Sequence, residues 1–350
     1  MMAHMRVSPF LLALGAALLF GAATPASKAL LGGFSPFQLA GLLYLGAALG
    51  VYPFLKLKGE DPNEFFIMDR INRRRLAGAI GFGGILGPVF LLYGLKLASA
   101  ASVSLWLSLE LVATAILGAL LFNDHLGNRG AAGALGAVLA AMLLAGHEKA
   151  AGLEAGGLVC LACICWGADN QFTALIDGAT PLQITFWKGL AAGAVNLVIG
   201  LLTSRWSAGS GTLLAALAAG ALCYGASILL YIHSAQRLGA TRSQTVFASA
   251  PFFGVLLSAA ALGEPISGLQ ISAALMLAAS IFALTLERHQ HEHGHQGMVH
   301  EHPHSHDDGH HAHSHPGLPP STAHTHFHEH EEVLHSHPHW PDLHHRHGHT

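Results

Sequence analysis

Apolar stretches about as long as a bilayer is thick recur along this chain, and no other feature limits its fold so severely. A helix needs roughly 20 apolar residues to cross a 30 Å hydrocarbon core, and ten such stretches can be marked between Ser8 and Leu286. The first five are Ser8 to Leu31, Pro36 to Leu57, Leu76 to Leu97, Ala101 to Phe122 and Arg129 to Gly146. The second five are Gly156 to Ile176, Pro181 to Thr203, Thr212 to Ala235, Ser243 to Leu262 and Gly268 to Leu286. Charged residues make up only 11% of the chain, against roughly 25% in an average soluble domain, so the bilayer is the expected solvent. The expected fold is therefore all-α and transmembrane, with ten helices. It comprises a first five-helix unit over 8–146, a second over 156–286 and a tail over 288–350.

Loop chemistry orients the spans. Arg6, Lys56, Lys58, Arg70, Arg73, Arg74, Arg75, Arg129, Arg237, Arg242 and Arg288 fall on one side, and only Lys28, Lys96, Lys149 and Arg205 on the other. The positive-inside rule then puts both termini in the cytoplasm of a plasma (inner) membrane protein. The apolar run after Arg6 resembles a secretory leader but continues past any Ala-x-Ala site to Leu31, which predicts an uncleaved first span. Cys160, Cys163, Cys165 and Cys223 lie inside apolar runs and read as reduced packing residues. The Cys160-x-x-Cys163-x-Cys165 spacing suggests a soft metal, but in a helix these thiols do not share one face.

The two units are copies. Phe20-Gly21 overlays Trp166-Gly167, Ser35-Pro36 overlays Thr180-Pro181, and Leu97 to Ser108 overlays Leu238 to Ser249. Five is odd, so the second copy enters the membrane from the opposite side and the repeats are inverted. That arrangement puts a site near the midplane, between the copies, in many secondary transporters.

These paired signals, with Lys28, Ser99-Ala-Ala-Ser-Val103, Ala250-Pro251 and Gly263-Glu264-Pro265, resemble the EamA-type two-repeat permeases of the drug/metabolite transporter superfamily. The resemblance runs from Phe10 to Leu286 and implies transport of amino acids, sugars, nucleotides or other metabolites without naming one. The chain departs from the family pattern in four places. Phe20 replaces a usual Trp, Asn123-Asp124 a usual Gly-Glu, Glu110 a usual Pro, and Leu43 the basic residue whose counterpart in the seventh span is Lys188.

Ionisable residues at membrane depth are costly and face a cavity or a partner. Asp169 and Lys188 lie at similar depth on adjacent helices, where they can form an ion pair, either as a strut or in a coupled role. Asn170 stands beside them and can line a pathway. Glu110 has no charged neighbour along its helix, which suits proton coupling or cation binding, with a structural carboxyl group as the alternative; Lys28 could reach toward it. Ser243 and Gln244 begin the ninth span, and Pro251 interrupts its ladder, freeing a carbonyl for a ligand.

The tail differs in kind. Of the 27 histidines, all but His4, His125, His147 and His233 lie there. Alternating clusters comprise His289, His291, His293 and His295, then His302, His304 and His306, then His310, His311, His313 and His315. Further clusters are His324, His326, His328 and His330, then His335, His337 and His339, and finally His344, His345, His347 and His349. The composition cannot bury a core and is expected to be disordered, while imidazole suits Zn, Ni or Co.

The chain carries no catalytic triad, phosphate loop or HExxH and is not expected to be an enzyme. No cofactor is required, though a divalent transition metal (Zn, Ni or Co) can bind the tail. Expected partners are the lipid bilayer and a small-molecule or metal substrate, with no nucleic acid; a homodimer is left open. The leading expectation is a secondary transporter of a small metabolite working by alternating access. A Zn, Ni or Co permease, or a membrane-anchored metal buffer or sensor, stands beside it.

Overall fold

The structure, a computed structural model, describes residues 8–62, 68–121, 127–148, 151–176, 179–238, 243, 246–285 and four tail segments, 292–295, 298–304, 324–330 and 333–336. Eight helical stretches are long and apolar enough to cross a membrane, and two shorter apolar helices, Ala250–Leu262 and Gly268–Thr285, complete five per repeat.

Local sequence explains where the spans begin. Ser35 caps the second span, Pro36–Lys58: its hydroxyl accepts from Gln38 N, while the Gln38 side chain accepts from Ser35 N at 3.1 Å. Thr180 and Gln183 repeat this capping box at the start of the seventh span, Pro181–Thr203. In both, Pro occupies the first helical position, where its missing N–H costs nothing. The third span begins at Arg70, ahead of the expected Leu76, because the Asp69 side chain accepts from Asn72 N at 2.7 Å and the arginine cluster joins the helix. The sixth span begins at Gly152 rather than Gly156.

Five spans are not regular α-helix, and in all but the ninth the apolar pattern did not reveal it. The first divides into Pro9–Gly21 and Ala23–Leu30. The fourth divides into Ala100–Trp106 and Leu109–Leu121 around a turn at Leu107–Ser108. The third and eighth each contain a π-helical segment, Ile80–Leu86 and Gly220–Ala226, at corresponding places in the two repeats. In the ninth, expected from Ser243 with its ladder interrupted at Pro251, the irregularity is instead a turn at Ala248–Ser249 before Ala250–Leu262. Pro251 therefore lies in a first helical turn, where it breaks no ladder.

The packing has a two-fold plan. The second span packs on the seventh, the fifth on the tenth and the fourth on the ninth, each pair mapping onto itself when the repeats are exchanged. The third packs on the sixth as the eighth packs on the first, and the fourth also meets the sixth as the ninth meets the first. Small residues allow these crossings. A Cβ on Gly41 would lie 2.6 Å from Leu197 N, so the second and seventh spans approach almost backbone to backbone. Most of the largest fully buried side chains, including Leu39, Leu92, Leu105, Trp106, Leu144 and Leu277, form one core joining spans two to six with the eighth, ninth and tenth.

In the tail, where no ordered structure was expected from composition, the described segments pair as two antiparallel ladders. Strand β1 (Glu292–His295) pairs with β4 (Val333–Ser336), and β2 (Met298–His304) with β3 (His324–His330). Alternation of His with other residues has the period of a strand.

Candidate functional site

A cavity of about 140 Å³ lies where the three broken helices meet. The first span contributes Phe20, Gly21 and Thr24 at its break. From the fourth come Ser104, Leu107, Ser108, Glu110, Leu111 and Thr114. Phe247, Ala248, Ala250 and Pro251 come from the ninth, Asn170 from the sixth and Ile281 from the tenth. Both repeats therefore build the walls. The breaks let the chain pass close: a Cβ on Gly21 would lie 2.5 Å from the Ala250 carbonyl oxygen, and one on Gly254 would lie 2.5 Å from Ser104 Oγ.

Glu110 supplies the formal charge among the residues lining this cavity. It sits in the first turn of Leu109–Leu121, where the helix dipole favours a carboxylate. Asn170 Nδ2 donates to Glu110 Oε1 at 3.0 Å and to Thr114 Oγ1 at 3.1 Å, so the neighbour that orients Glu110 is neutral. Gln171, one residue on, points elsewhere and donates to the Thr114 carbonyl at 3.1 Å. Ser104 and Ser108 are 1% and 6% exposed, and neither hydroxyl oxygen has a hydrogen-bond partner. Phe20 and Phe247 stack obliquely with ring centroids 5.3 Å apart, backed by Tyr224 and Tyr231.

Asp169 and Lys188 form a second polar centre. Lys188 Nζ donates to both carboxylate oxygens, at 2.9 and 2.6 Å, and Thr173 Oγ1 donates to Oδ1 at 3.0 Å. The pair packs against the first π segment, whose irregular ladder leaves carbonyls for side chains. Gly83 O accepts from Tyr44 Oη at 2.5 Å and Trp166 Nε1 at 2.9 Å, and Gly84 O accepts from Asn196 Nδ2 at 3.0 Å. Asp169, Lys188 and Asn196 are thus bound into helix packing, with Asp169 directly preceding Asn170, which lines the cavity.

The remaining expected site residues separate. Lys28 does not approach Glu110: its Nζ donates to the Leu95 and Ala98 carbonyls at 2.6 and 2.8 Å, closing the C-terminal end of the third span. Free helix-end carbonyls within reach satisfy an ammonium better than a carboxylate several residues deeper. Ser243 is fully buried away from the cavity, its Oγ 2.9 Å from Ser234 Oγ, which itself donates to Pro9 O. Pro251 lines the cavity. Gln244 and Asn123-Asp124 lie outside the described residues. So do His289, His291, His306, His310, His311, His313, His315, His337, His339, His344, His345, His347 and His349. The other tail histidines named above fall on β1 to β4.

Sequence reasoning missed Ser104, Ser108 and Thr114; the available signal was that Thr114 lies four residues after Glu110, the spacing of neighbours on one helix face. It also missed the role of Glu264. The backbone N–H groups of Ala100 and Ala101 both donate to its carboxylate at 2.9 Å, so the second repeat caps the fourth span of the first. Ser99, just before them, donates from its hydroxyl to Glu148 Oε1 and from its N–H to Oε2 at 3.2 Å. The signal available was Gly263-Glu264-Pro265, which reads only as a helix stop. No group of three or more His, Cys, Asp or Glu able to hold a metal occurs among the described residues, and Cys160, Cys163, Cys165 and Cys223 are free thiols, all but Cys160 buried.

Comparison with known proteins follows this geometry. A family model described as the EamA-like transporter family matches residues 7–146 and again 155–286. No curated protein matches the chain in sequence. A solved crystal structure superposes with a TM-score of 0.58 at 20% identity, over 80% of this chain and 98% of that one, a likeness of fold.

Proposed function

This chain belongs to the EamA-like transporter family, and from that membership we propose that it moves a small metabolite across the inner membrane by alternating access around the Glu110 cavity, with both termini cytoplasmic. One observation carries this reading: the cavity lies between the two repeats, at breaks in the first, fourth and ninth spans, and holds a carboxylate whose orienting partner is neutral. Discontinuous helices meeting at a midplane site are the usual way a transporter exposes polar backbone and side chains to a solute.

The contacts at the Ser99 end of the cavity fit a closed gate. Lys28, Glu148 and Glu264 reach from the first, fifth and ninth spans to grip the junction between the third and fourth. Rocking one repeat against the other must release Glu264 before that end opens. The cytoplasmic pathway then serves the opposite phase of the cycle.

The test is uptake into liposomes holding the purified full chain, screened with amino acids, amines, sugars and Zn, Ni and Co, with and without a proton gradient. E110Q is expected to abolish saturable uptake while membrane insertion persists. Normal uptake by E110Q refutes the assignment of this cavity.

A metal-linked role for the tail is a second reading, supported by strand register. His300 faces His328, His302 faces His326, and His304 faces His324 across β2 and β3. Residues at alternate positions share one face of a ribbon, which gathers six imidazole-bearing positions on a single side. Under this reading Zn, Ni or Co binds the tail, and removing 288–350 alters metal tolerance of cells; unchanged tolerance refutes it.

A further inference from the structure

We propose that the cavity is built for a small organic cation, an ammonium group on a compact apolar body; this rests on the transporter reading above and names the substrate class. Among the described residues Glu110 is the charged group on the lining, and Lys188 Nζ is engaged on Asp169 and Lys28 Nζ on the Leu95 and Ala98 carbonyls. A carboxylate away from bulk water calls for a counter-charge, and here the bound solute supplies it. An anion would meet like charge, and a zwitterion would bring a carboxylate with no cation to receive it.

Hydrogen-bonding capacity agrees. A primary ammonium has three N–H donors and no acceptor. The cavity offers the Glu110 carboxylate and beside it the Thr114 hydroxyl oxygen, which shares the Asn170 donor with it; the Ser104 and Ser108 hydroxyl oxygens are sealed in the helix packing behind the lining. A transition metal is a poor match, since among the described residues the lining has one carboxylate and neither His nor Cys.

Shape sets the remainder of the ligand. The other wall is formed by Phe20, Leu107, Leu111, Phe247 and Ile281. Aromatic faces near a cation add attraction and accept an apolar body equally well. The 140 Å³ volume resembles that of apolar cavities of about 150 Å³ that hold a benzene-sized molecule.

Three probes of nearly one shape separate the charge classes: benzylammonium, benzyl alcohol and benzoate. Each is titrated against the purified full chain in detergent, then tested for movement into liposomes containing it. Benzylammonium is expected to bind saturably and at least tenfold more tightly than the other two, and E110Q is expected to bring it to the level of benzyl alcohol. T114V, which removes the hydroxyl acceptor beside Glu110, is expected to weaken benzylammonium severalfold, a second handle should E110Q fold poorly. The proposal is overturned if benzyl alcohol or benzoate binds as tightly, if E110Q keeps the amine preference, or if none of the three binds saturably. Glu110-dependent movement of a neutral or anionic solute would leave the transporter reading standing and remove only the cation. Movement of no solute in the wider screen would remove the transporter reading itself.

Discussion

Gly83→Ala tests whether the ion pair of Asp169 and Lys188 is held by the shape of the first π segment. A Cβ at this position would lie 2.0 Å from Asp169 Oδ2 and 2.2 Å from its Cγ, where ordinary contact begins at 3.4 Å. The carboxylate must therefore retreat by about 1.4 Å, the difference between the first and last of these distances. Lys188 Nζ now holds that carboxylate at 2.6 and 2.9 Å, so such a retreat stretches or breaks the pair. Overpacking alone costs about 1–3 kcal/mol, and uncoupling a buried pair adds to it up to about 3–5 kcal/mol when one charge is left alone. The expected outcome is a clear fall in the thermal midpoint of the purified protein. The same substitution is then made in D169G/K188M, where Asp169 Oδ2, Cγ and Cβ, the last 2.6 Å from the added methyl, are all absent. There the methyl group enters vacated space, and the penalty should shrink by at least about 0.5 kcal/mol, the smallest coupling expected of residues in contact. Equal penalties in the two backgrounds would refute the reasoning, because the clash would then lie with something other than the pair.

Other substitutions probe the remaining contacts. Asn170→Leu removes the donor shared by Glu110 and Thr114; uptake should fall about tenfold, the equivalent of losing roughly 1.4 kcal/mol, while the amount of protein in the membrane is unchanged. Gly21→Ala sets a Cβ 2.5 Å from the Ala250 carbonyl oxygen and 2.9 Å from Phe253 Cβ; backbone cannot rotate away, so destabilisation of about 1–3 kcal/mol is expected in thermal unfolding. Glu264→Ala leaves Ala100 N and Ala101 N without their acceptor; loss of this cap should cost about 1 kcal/mol and make the Ser99 end more accessible to a membrane-impermeant thiol reagent in an S99C background.

Much of the fold was legible because the bilayer simplifies the code. Length and polarity mark the spans, and Ser35-Pro36-x-Gln38 and Thr180-Pro181-x-Gln183 announce their capping boxes. The breaks were hidden because Gly21-Ala22, Leu107-Ser108 and Ala248-Ser249 are as apolar or small as their surroundings. A hydropathy pattern averages over them. The π segments were hidden for a related reason: Ile80–Leu86 and Gly220–Ala226 are rich in glycine, which in a membrane helix also signals ordinary close packing. Charge was read best where it stood out, as at Glu110, Asp169 and Lys188. Which group each would meet depended on helix rotation, so Asn170 rather than Lys28 proved to be the partner of Glu110.

The two repeats build one interface in two ways, and this asymmetry decides what the ion pair is for. In the overlay Asp169 corresponds to Ala23 and Lys188 to Leu43, and the π segments set Cys223 opposite Gly83. The first site spends its volume on a carboxylate and an ammonium and needs glycine to admit them; the second is apolar and fills the same space with a thiol. Transplanting the second solution's residues into the first as D169A/K188L removes both charges and keeps Gly83, because a Cβ there would still lie 2.6 Å from the Cβ at position 169. Replacement of a buried pair by packed apolar groups is often neutral or stabilising by about 1–4 kcal/mol, so the variant should insert and unfold at or above the midpoint of the parent protein. Uptake then separates the roles. If the pair is a strut, the packed variant transports as the parent does. If it takes part in the cycle, stability is kept and uptake is lost. A role in the cycle is the expected result, because Asp169 precedes Asn170, the residue that orients Glu110, and any change in its pairing turns the sixth span at the cavity wall. Full uptake by a stable transplant would refute that expectation and leave Glu110 as the charged centre of transport.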